Sequence, residues 1–124
     1  IASVLQPGDH GSTYSGTALA TAAVNAVISE MKRLNAPELA VRQGARLSKG
    51  LSSIPKIDHV RGSGLLLGAQ LKDGIIAGDV YKELLEAGLI VNAVNAATLR
   101  FAPPLTVSDA EIDEAVAMVK EVLK

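Results

Sequence analysis

The sequence predicts an α+β fold in which a small, mostly antiparallel sheet is covered by helices on one side. Some segments have apolar residues at the spacing of a helix, and other, shorter segments have apolar and polar residues in the alternation typical of a strand. Glycines or prolines separate most of these segments. The 124 residues lie within the usual size of one domain, and 48% of them are apolar, which is enough for a buried core. No long linker, internal repeat or low-complexity segment divides the chain.

Two helices are predicted in the first half of the chain. Residues 15–34 are rich in alanine and carry apolar side chains at helical spacing, so they form the first helix. The second helix is expected to run from Asn35 to about residue 51. Asn35 is its expected cap, Pro37 lies in the first turn, and Glu38 stands three residues after the cap.

Two further helices are predicted in the second half. One covers residues 79–87, with Leu85 among its inward-facing side chains, and Gly88 ends it. Ser108 and Glu111 have the sequence pattern of a capping box, which starts the last helix.

The remaining regular segments are predicted to be strands. Residues 57–61 alternate in polarity, residues 65–71 have the pattern of a buried strand, and the glycines of residues 62–64 separate the two. After the third helix, residues 89–91 and 98–102 are the last two strands, with a turn between them. The predicted order is therefore helix, helix, two strands, helix, two strands, helix.

Composition and charge argue against several kinds of function. The chain has no cysteine, which rules out disulfides, thiol catalysis and cysteine-bound metal sites. Its net charge is −1 without a basic run, which argues against nucleic-acid binding through phosphate neutralisation. No apolar run is long enough to span a bilayer, and the first residues lack the pattern of a secretory signal, so we expect a cytoplasmic protein. The chain begins without methionine, and we expect it to be part of a longer protein.

Two segments carry residues with candidate chemistry. Ser12 and Thr13 stand just before the first helix, where hydroxyls and free backbone N–H groups suit a phosphate; the alternative is that they only cap the helix. Arg100 lies between two apolar residues of a predicted strand, so its side chain points to the opposite face. Its guanidinium suits a carboxylate, and the alternative is a solvated arginine at a sheet edge. His10 and His59 have no partner at a metal-binding or catalytic spacing.

Three motifs give the chain a resemblance to a known family, the class III aminotransferases, in sequence and in spacing. The motifs are residues 7–14 (PGDHGSTY), residues 61–68 (RGSGLLLG) and residues 98–105 (TLRFAPPL). The resemblance implies fold type I, pyridoxal 5′-phosphate as the cofactor, and a homodimer whose active sites are shared between subunits. It also implies that Ser12 and Thr13 contact the cofactor phosphate of the partner subunit and that Arg100 binds a substrate carboxylate.

The resemblance also divides the chain. It implies that residues 1–34 are the end of the large domain, with the cofactor-phosphate loop and a connecting helix, and that residues 35–124 are the C-terminal small domain. The lysine to which this family binds its cofactor lies upstream of the loop, and none of residues 1–13 is a lysine. We therefore expect no catalytic residue in this chain and no activity from it alone. Residues 15–20 read SGTALA where the family usually has GGNPLA, and Thr17 can still cap the helix.

Within the family, the chain is most similar to members that exchange an amino group between N-acetylornithine and 2-oxoglutarate in arginine biosynthesis. Two alternatives stay open. One is another ω-amino transaminase, acting on ornithine, succinylornithine or 4-aminobutyrate. The other is a non-catalytic α+β interaction module.

Overall fold

The computed structural model describes Val4, Gln6, Gly8, Asp9 and residues 11–124. The chain divides into two compact units, Ile1–Leu34 and Asn35–Lys124. The helices and strands, in chain order, are α1 (Ala18–Leu34), α2 (Ala36–Ser52), β1 (Ile57–Ser63), β2 (Leu66–Leu71), α3 (Ala77–Glu86), β3 (Asn92–Asn95), β4 (Thr98–Phe101) and α4 (Asp109–Val122). This order confirms the predicted succession of helices and strands.

Helix α1, in the first unit, begins directly after Thr17. The Oγ1 atom of Thr17 accepts a hydrogen bond from the backbone N–H of Ala20 (3.2 Å), so Thr17 caps the helix and α1 starts at Ala18 rather than at residue 15. No residue of α1 is buried. Its apolar side chains lie at the surface, and Leu19 is 82% exposed.

The strands of the second unit form one antiparallel sheet in the order β1-β2-β4-β3. Side chains alternate along each strand, and the inner face of the sheet is buried: Leu67, Ala69, Leu99 and Phe101 are each at most 5% exposed. Helices α2 and α3 contact the strands, and α4 packs against both helices. The second unit is therefore an α+β fold, as the sequence predicts.

Strand β1 continues to Ser63, although the prediction ended it at residue 61. Gly62 has a φ of 140°, and a side chain there would overlap the carbonyl oxygen of Leu66. Gly64, with a φ of 52°, closes a tight turn together with Leu65. The glycines expected to interrupt the strand thus allow the two strands to approach each other closely at the turn.

Residues 89–91 are not a strand, so this part of the prediction is wrong. The backbone N–H of Leu89 donates to the carbonyl of Leu84 (2.8 Å) and still belongs to the turn that ends α3. The strand is instead β3, in which Ala93 is the partner of Leu99. Val91 is only 8% exposed without lying in a strand, because tertiary packing covers it.

Helix α3 buries Ala77, Val80 and Leu84. Leu85, which was expected to face inward, is 45% exposed. Consecutive helical residues are separated by about 100° around the axis, so Leu85 cannot share the inward direction of Leu84. Gly88 adopts a φ of 95° just after the helix and ends it as predicted.

The predicted side-chain cap is absent from α2 but present in α4. Asn35 makes no side-chain cap bond; it lies in the left-handed region (φ 51°), and its carbonyl accepts from the N–H groups of Glu38 (3.1 Å) and Leu39 (3.2 Å). The capping box of α4 is confirmed. Ser108 Oγ accepts from the Glu111 N–H (3.2 Å), and the Glu111 carboxylate accepts from the Ser108 N–H (2.7 Å).

Polar contacts join α2 to α4. The buried Gln43 donates from Nε2 to the Val107 carbonyl (3.0 Å) and to the Asp109 carboxylate (2.8 Å). Arg46 donates to both carboxylate oxygens of Asp113 (2.8 and 2.6 Å). The hydrogen bonds from this guanidinium lower the pKa of the Asp113 carboxyl below its ordinary value.

Candidate functional site

Arg100 projects from an interior strand of the sheet. Strand β4 lies between β2 and β3, where Gly68 and Asn92 are the strand partners of Arg100. The neighbours Leu99 (0% exposed) and Phe101 (5%) are buried in the core, and Arg100 is exposed. The alternation predicted from the sequence is present. The alternative of an arginine at a sheet edge does not apply, because β4 is not an edge strand.

The face of the sheet that carries Arg100 is here called the outer face. It is formed by the outward positions of β1, β2 and β4, which are His59, Arg61, Gly68, Gln70, Thr98 and Arg100. An open groove of about 520 Å³ crosses this face, and Arg61 and Arg100 are the charged residues that line it. No Asp or Glu of the described chain lines the groove. Gly68 lies between the two arginines in the sheet register and adds no side chain to the groove, and a Cβ there would meet Thr98 Cγ2 at 3.4 Å and Arg61 Cγ at 3.8 Å.

Arg61 has no role assigned by the sequence analysis, yet the structure places it beside Arg100 on the outer face. Its Nη1 donates to Gln70 Oε1 (3.4 Å) and lies 3.3 Å from His59 Nε2. Gln70 Oε1 also accepts from Thr98 Oγ1 (2.8 Å), and His59 Nδ1 lies 2.7 Å from Asp58 Oδ2. This network holds the Arg61 side chain over the sheet. The alternation along β1 indicates the face of Arg61, but the pairing that brings it near β4 is not a local signal.

Ser12 and Thr13 precede α1 without capping it. Thr17 is the cap, so the alternative that these two residues only cap the helix is wrong. Ser12 Oγ accepts a long hydrogen bond from the Tyr14 N–H (3.4 Å), and both residues are exposed. Hydroxyls of this kind can donate to phosphate oxygens. His10, the other residue considered in this loop, lies outside the described residues.

In the described residues, no group of three or more His, Cys, Asp or Glu side chains is arranged to hold a metal ion. Helices that combine the length and the apolar character needed to cross a membrane do not occur in the part of the chain that the structure describes. The outer face carries binding chemistry in the two arginines that line its groove.

Nearly the whole chain matches one known family: a profile described as "Aminotransferase class-III" matches residues 1–123. The chain belongs to the class III aminotransferase family. It is similar to an acetylornithine aminotransferase of Caldanaerobacter subterraneus subsp. tengcongensis, with 38% identity over 97% of this chain and 31% of the relative. An ornithine aminotransferase of Exiguobacterium sp. is 36% identical over 99% of this chain and 31% of its own length.

Solved structures of the family agree with the fold. The ornithine aminotransferase from Toxoplasma gondii crystallised with oxidised glutathione superposes with a TM-score of 0.81 at 31% identity, over 98% of this chain and 30% of that one. That structure is described as having partial occupancy of PLP at its active site. The present chain spans about a third of the length of the curated relatives it matches.

Proposed function

We propose that the protein carrying these residues exchanges an amino group between N-acetylornithine and 2-oxoglutarate, in arginine biosynthesis. The main support for the proposal is the position of Arg100 in a chain that belongs to this family. Arg100 is exposed on an interior strand. It lines a groove to which no acidic residue of the described chain contributes. In this proposal residues 1–34 supply the end of the large domain, and residues 35–124 supply the small domain.

Arg100 binds the substrate carboxylate in this reaction. Its guanidinium presents parallel N–H donors that match the two oxygens of a carboxylate. Strand β4 is paired on both sides, and Leu99 and Phe101 anchor it in the core, so the arginine stands on a rigid support. A substrate held by its carboxylate presents its reacting carbon in a fixed orientation, which lowers the entropic cost of reaction.

Pyridoxal 5′-phosphate is the cofactor that this proposal requires, and when bound it supplies the electron sink for the exchange. The hydroxyls of Ser12 and Thr13 donate hydrogen bonds to its phosphate in the site of the partner subunit. The residues fit this role, because both are exposed and neither caps α1. The proposed enzyme is a cytoplasmic homodimer.

A second candidate function is transamination of another ω-amino donor, and ornithine is the donor that we favour among these. This candidate is supported by the Exiguobacterium relative, which is named an ornithine aminotransferase and is 36% identical. Succinylornithine and 4-aminobutyrate belong to the same chemical class. Each of these donors carries a carboxylate, so Arg100 does not choose among them.

A comparison of amino donors tests the proposal on the enzyme that contains this segment. The purified protein is given 2-oxoglutarate and, in turn, N-acetylornithine, ornithine, succinylornithine and 4-aminobutyrate, and glutamate formation is followed. The proposal expects the highest kcat/KM with N-acetylornithine. A higher value with ornithine would favour the second candidate, and no glutamate from any donor would favour a non-catalytic module. The 124 residues by themselves are expected to be inactive, which the same assay checks.

A further inference from the structure

We propose that His59 is a pH-sensitive switch for the Arg61 side chain: neutral His59 keeps Arg61 in place over the sheet, and protonated His59 releases it. The inference goes beyond the proposed function, because it concerns a change of conformation and holds whichever reaction the enzyme catalyses. Arg61 lines the groove of the outer face, so its release changes the shape of that groove.

A β-bulge brings the carboxylate of Asp58 to the ring of His59. Ile57 pairs with Leu71 and His59 pairs with Gln70, so Asp58 is an extra residue of β1 without a partner on β2. Consecutive side chains of a regular strand point to opposite faces, and a bulge re-aims one of them. Asp58 Oδ2 consequently lies 2.7 Å from His59 Nδ1. The two side chains are 59% and 53% exposed on an edge strand, so protons from the solvent reach the ring.

One arrangement of protons satisfies both contacts of the imidazole ring. An ionised carboxylate only accepts hydrogen bonds, so His59 Nδ1 carries the proton that it donates to Asp58. A guanidinium only donates, and Arg61 Nη1 lies 3.3 Å from Nε2, so Nε2 must offer its lone pair. These conditions describe the neutral ring with its proton on Nδ1. Asp58 thus sets the tautomer that lets His59 accept from Arg61.

Protonation of the ring reverses its contact with Arg61. Histidine is the side chain that ordinarily changes its charge between pH 5 and 8, and here the second proton goes to Nε2. Nε2 then directs an N–H toward the N–H of Arg61, and two positive charges face each other. The contact between Nδ1 and Asp58 becomes charge-assisted and persists. The group that moves away is therefore Arg61 and not the ring.

The other partner of Arg61 does not titrate. Nη1 also donates to Gln70 Oε1 over 3.4 Å, which is a long hydrogen bond. Gln70 Oε1 already accepts a hydrogen bond of 2.8 Å from the hydroxyl of the buried Thr98. Neither an amide nor this hydroxyl changes its protonation between pH 5 and 8. Gln70 alone binds Arg61 weakly, so the charge of His59 determines the position of the arginine.

The surroundings of His59 add no further charge in the part of the chain that the structure describes. On β1, Asp58 and Arg61 are the charged side chains that contact the ring. Strand β2 places the uncharged Gln70 opposite His59. Helix α2 packs against the inner face of β1, where Val60 contacts the core, and the ion pairs of α2 are formed with α4.

Crystals of the enzyme that contains this segment, equilibrated in one crystal form at pH 8 and at pH 5, test the switch. At pH 8 we expect Arg61 Nη1 to lie against His59 Nε2. At pH 5 the ratio of bound to displaced Arg61 should fall roughly 2- to 10-fold, the size expected for the loss of one hydrogen bond. Arg46 is the control in the same crystals. The pKa of its partner Asp113 is lowered by their hydrogen bonds, so this pair stays ionised and in place at pH 5.

His59→Gln is the matched variant, because a glutamine amide offers an acceptor oxygen but does not titrate. In this variant Arg61 should keep one position at both pH values. In solution, ¹⁵N spectra of the histidine-labelled enzyme at pH 8 should show the proton of His59 on Nδ1, and the loss of the signal in His59→Gln identifies it. An unmoved Arg61 at pH 5, an equal displacement in His59→Gln, or a proton on Nε2 at pH 8 would each overturn the inference.

Discussion

Helix α2 approaches the β1–β2 turn closely at Gly44, and Gly44→Ala tests this contact. A Cβ at Gly44 would lie 2.9 Å from Gly64 Cα and closer still to the carbonyl carbon and oxygen of Gly64. All three atoms are backbone, and Gly64 itself is held in a left-handed conformation (φ 52°) between paired strands. The turn cannot move away without disturbing the pairing of Ser63 with Leu66.

Two effects of opposite sign determine how much Gly44→Ala changes the free energy of unfolding. Replacing glycine by alanine inside a helix stabilises it by up to about 1 kcal/mol. Overpacking a core contact costs about 1–3 kcal/mol and occasionally more, and an overlap with backbone belongs at the upper end. We therefore expect Gly44→Ala to lower the free energy of unfolding by about 2 kcal/mol or more. Gly78→Ala is the matched control, because a Cβ there meets nothing within 4 Å.

Urea unfolding of the 124-residue chain, followed by circular dichroism, measures both variants. Gly78→Ala should be unchanged or more stable by up to about 0.5–1 kcal/mol. Gly44→Ala should be less stable by about 2 kcal/mol or more, and in a thermal scan of the same samples it should melt at least about 8 °C lower, at 4–8 °C per kcal/mol for a unit of this size. If Gly44→Ala were as stable as Gly78→Ala, the close approach of α2 to the turn would be refuted.

Further predictions concern the core, the cap of α4 and acid stability. Leu99→Ala should cost about 2–5 kcal/mol in urea unfolding, because Leu99 is fully buried. Ser108→Ala removes the capping box and should cost about 0.5–2 kcal/mol, whereas Ser52→Ala at the end of α2 should cost less. The pKa values of Asp113 and Glu111 are lowered by hydrogen bonds from Arg46 and from Ser108, respectively. Their contribution to stability is present above the ordinary carboxyl pKa and is lost as pH falls below about 4. Urea midpoints between pH 6 and 2.5 should therefore fall less steeply in Asp113→Asn.

Local signals allowed much of the fold to be predicted. The capping box of Ser108 and Glu111 lies within one turn of helix and depends on no distant contact, so the sequence identifies it directly. The side of β4 on which Arg100 lies also follows from simple alternation. The position of β3 could not be predicted from such local signals. Val91 is apolar and buried, as a strand residue would be, but it belongs to the connection after α3.

The second arginine of the outer face could not be predicted, for a physical reason. The glycines after Arg61 are typical of a strand end, and only the close approach of Gly62 to Leu66 shows that β1 continues. The row from Arg61 through Gly68 to Arg100 depends on pairing between segments far apart in the chain, with β2 beside β4. Periodicity carries no information about that register.

We propose that Arg100 holds the substrate carboxylate, and steady-state kinetics of Arg100→Ala provide the decisive test. In the enzyme that contains this segment, the loss of a charge-assisted bidentate pair should lower kcat/KM for 2-oxoglutarate and for the amino donor by roughly 30- to 3,000-fold. The melting temperature should stay close to that of the unmodified protein, because Leu99 and Phe101 hold β4 in the core. Arg42→Ala should change neither quantity. Unchanged kcat/KM for both substrates in Arg100→Ala would contradict the claim, and a collapsed melting temperature would show that Arg100 is structural.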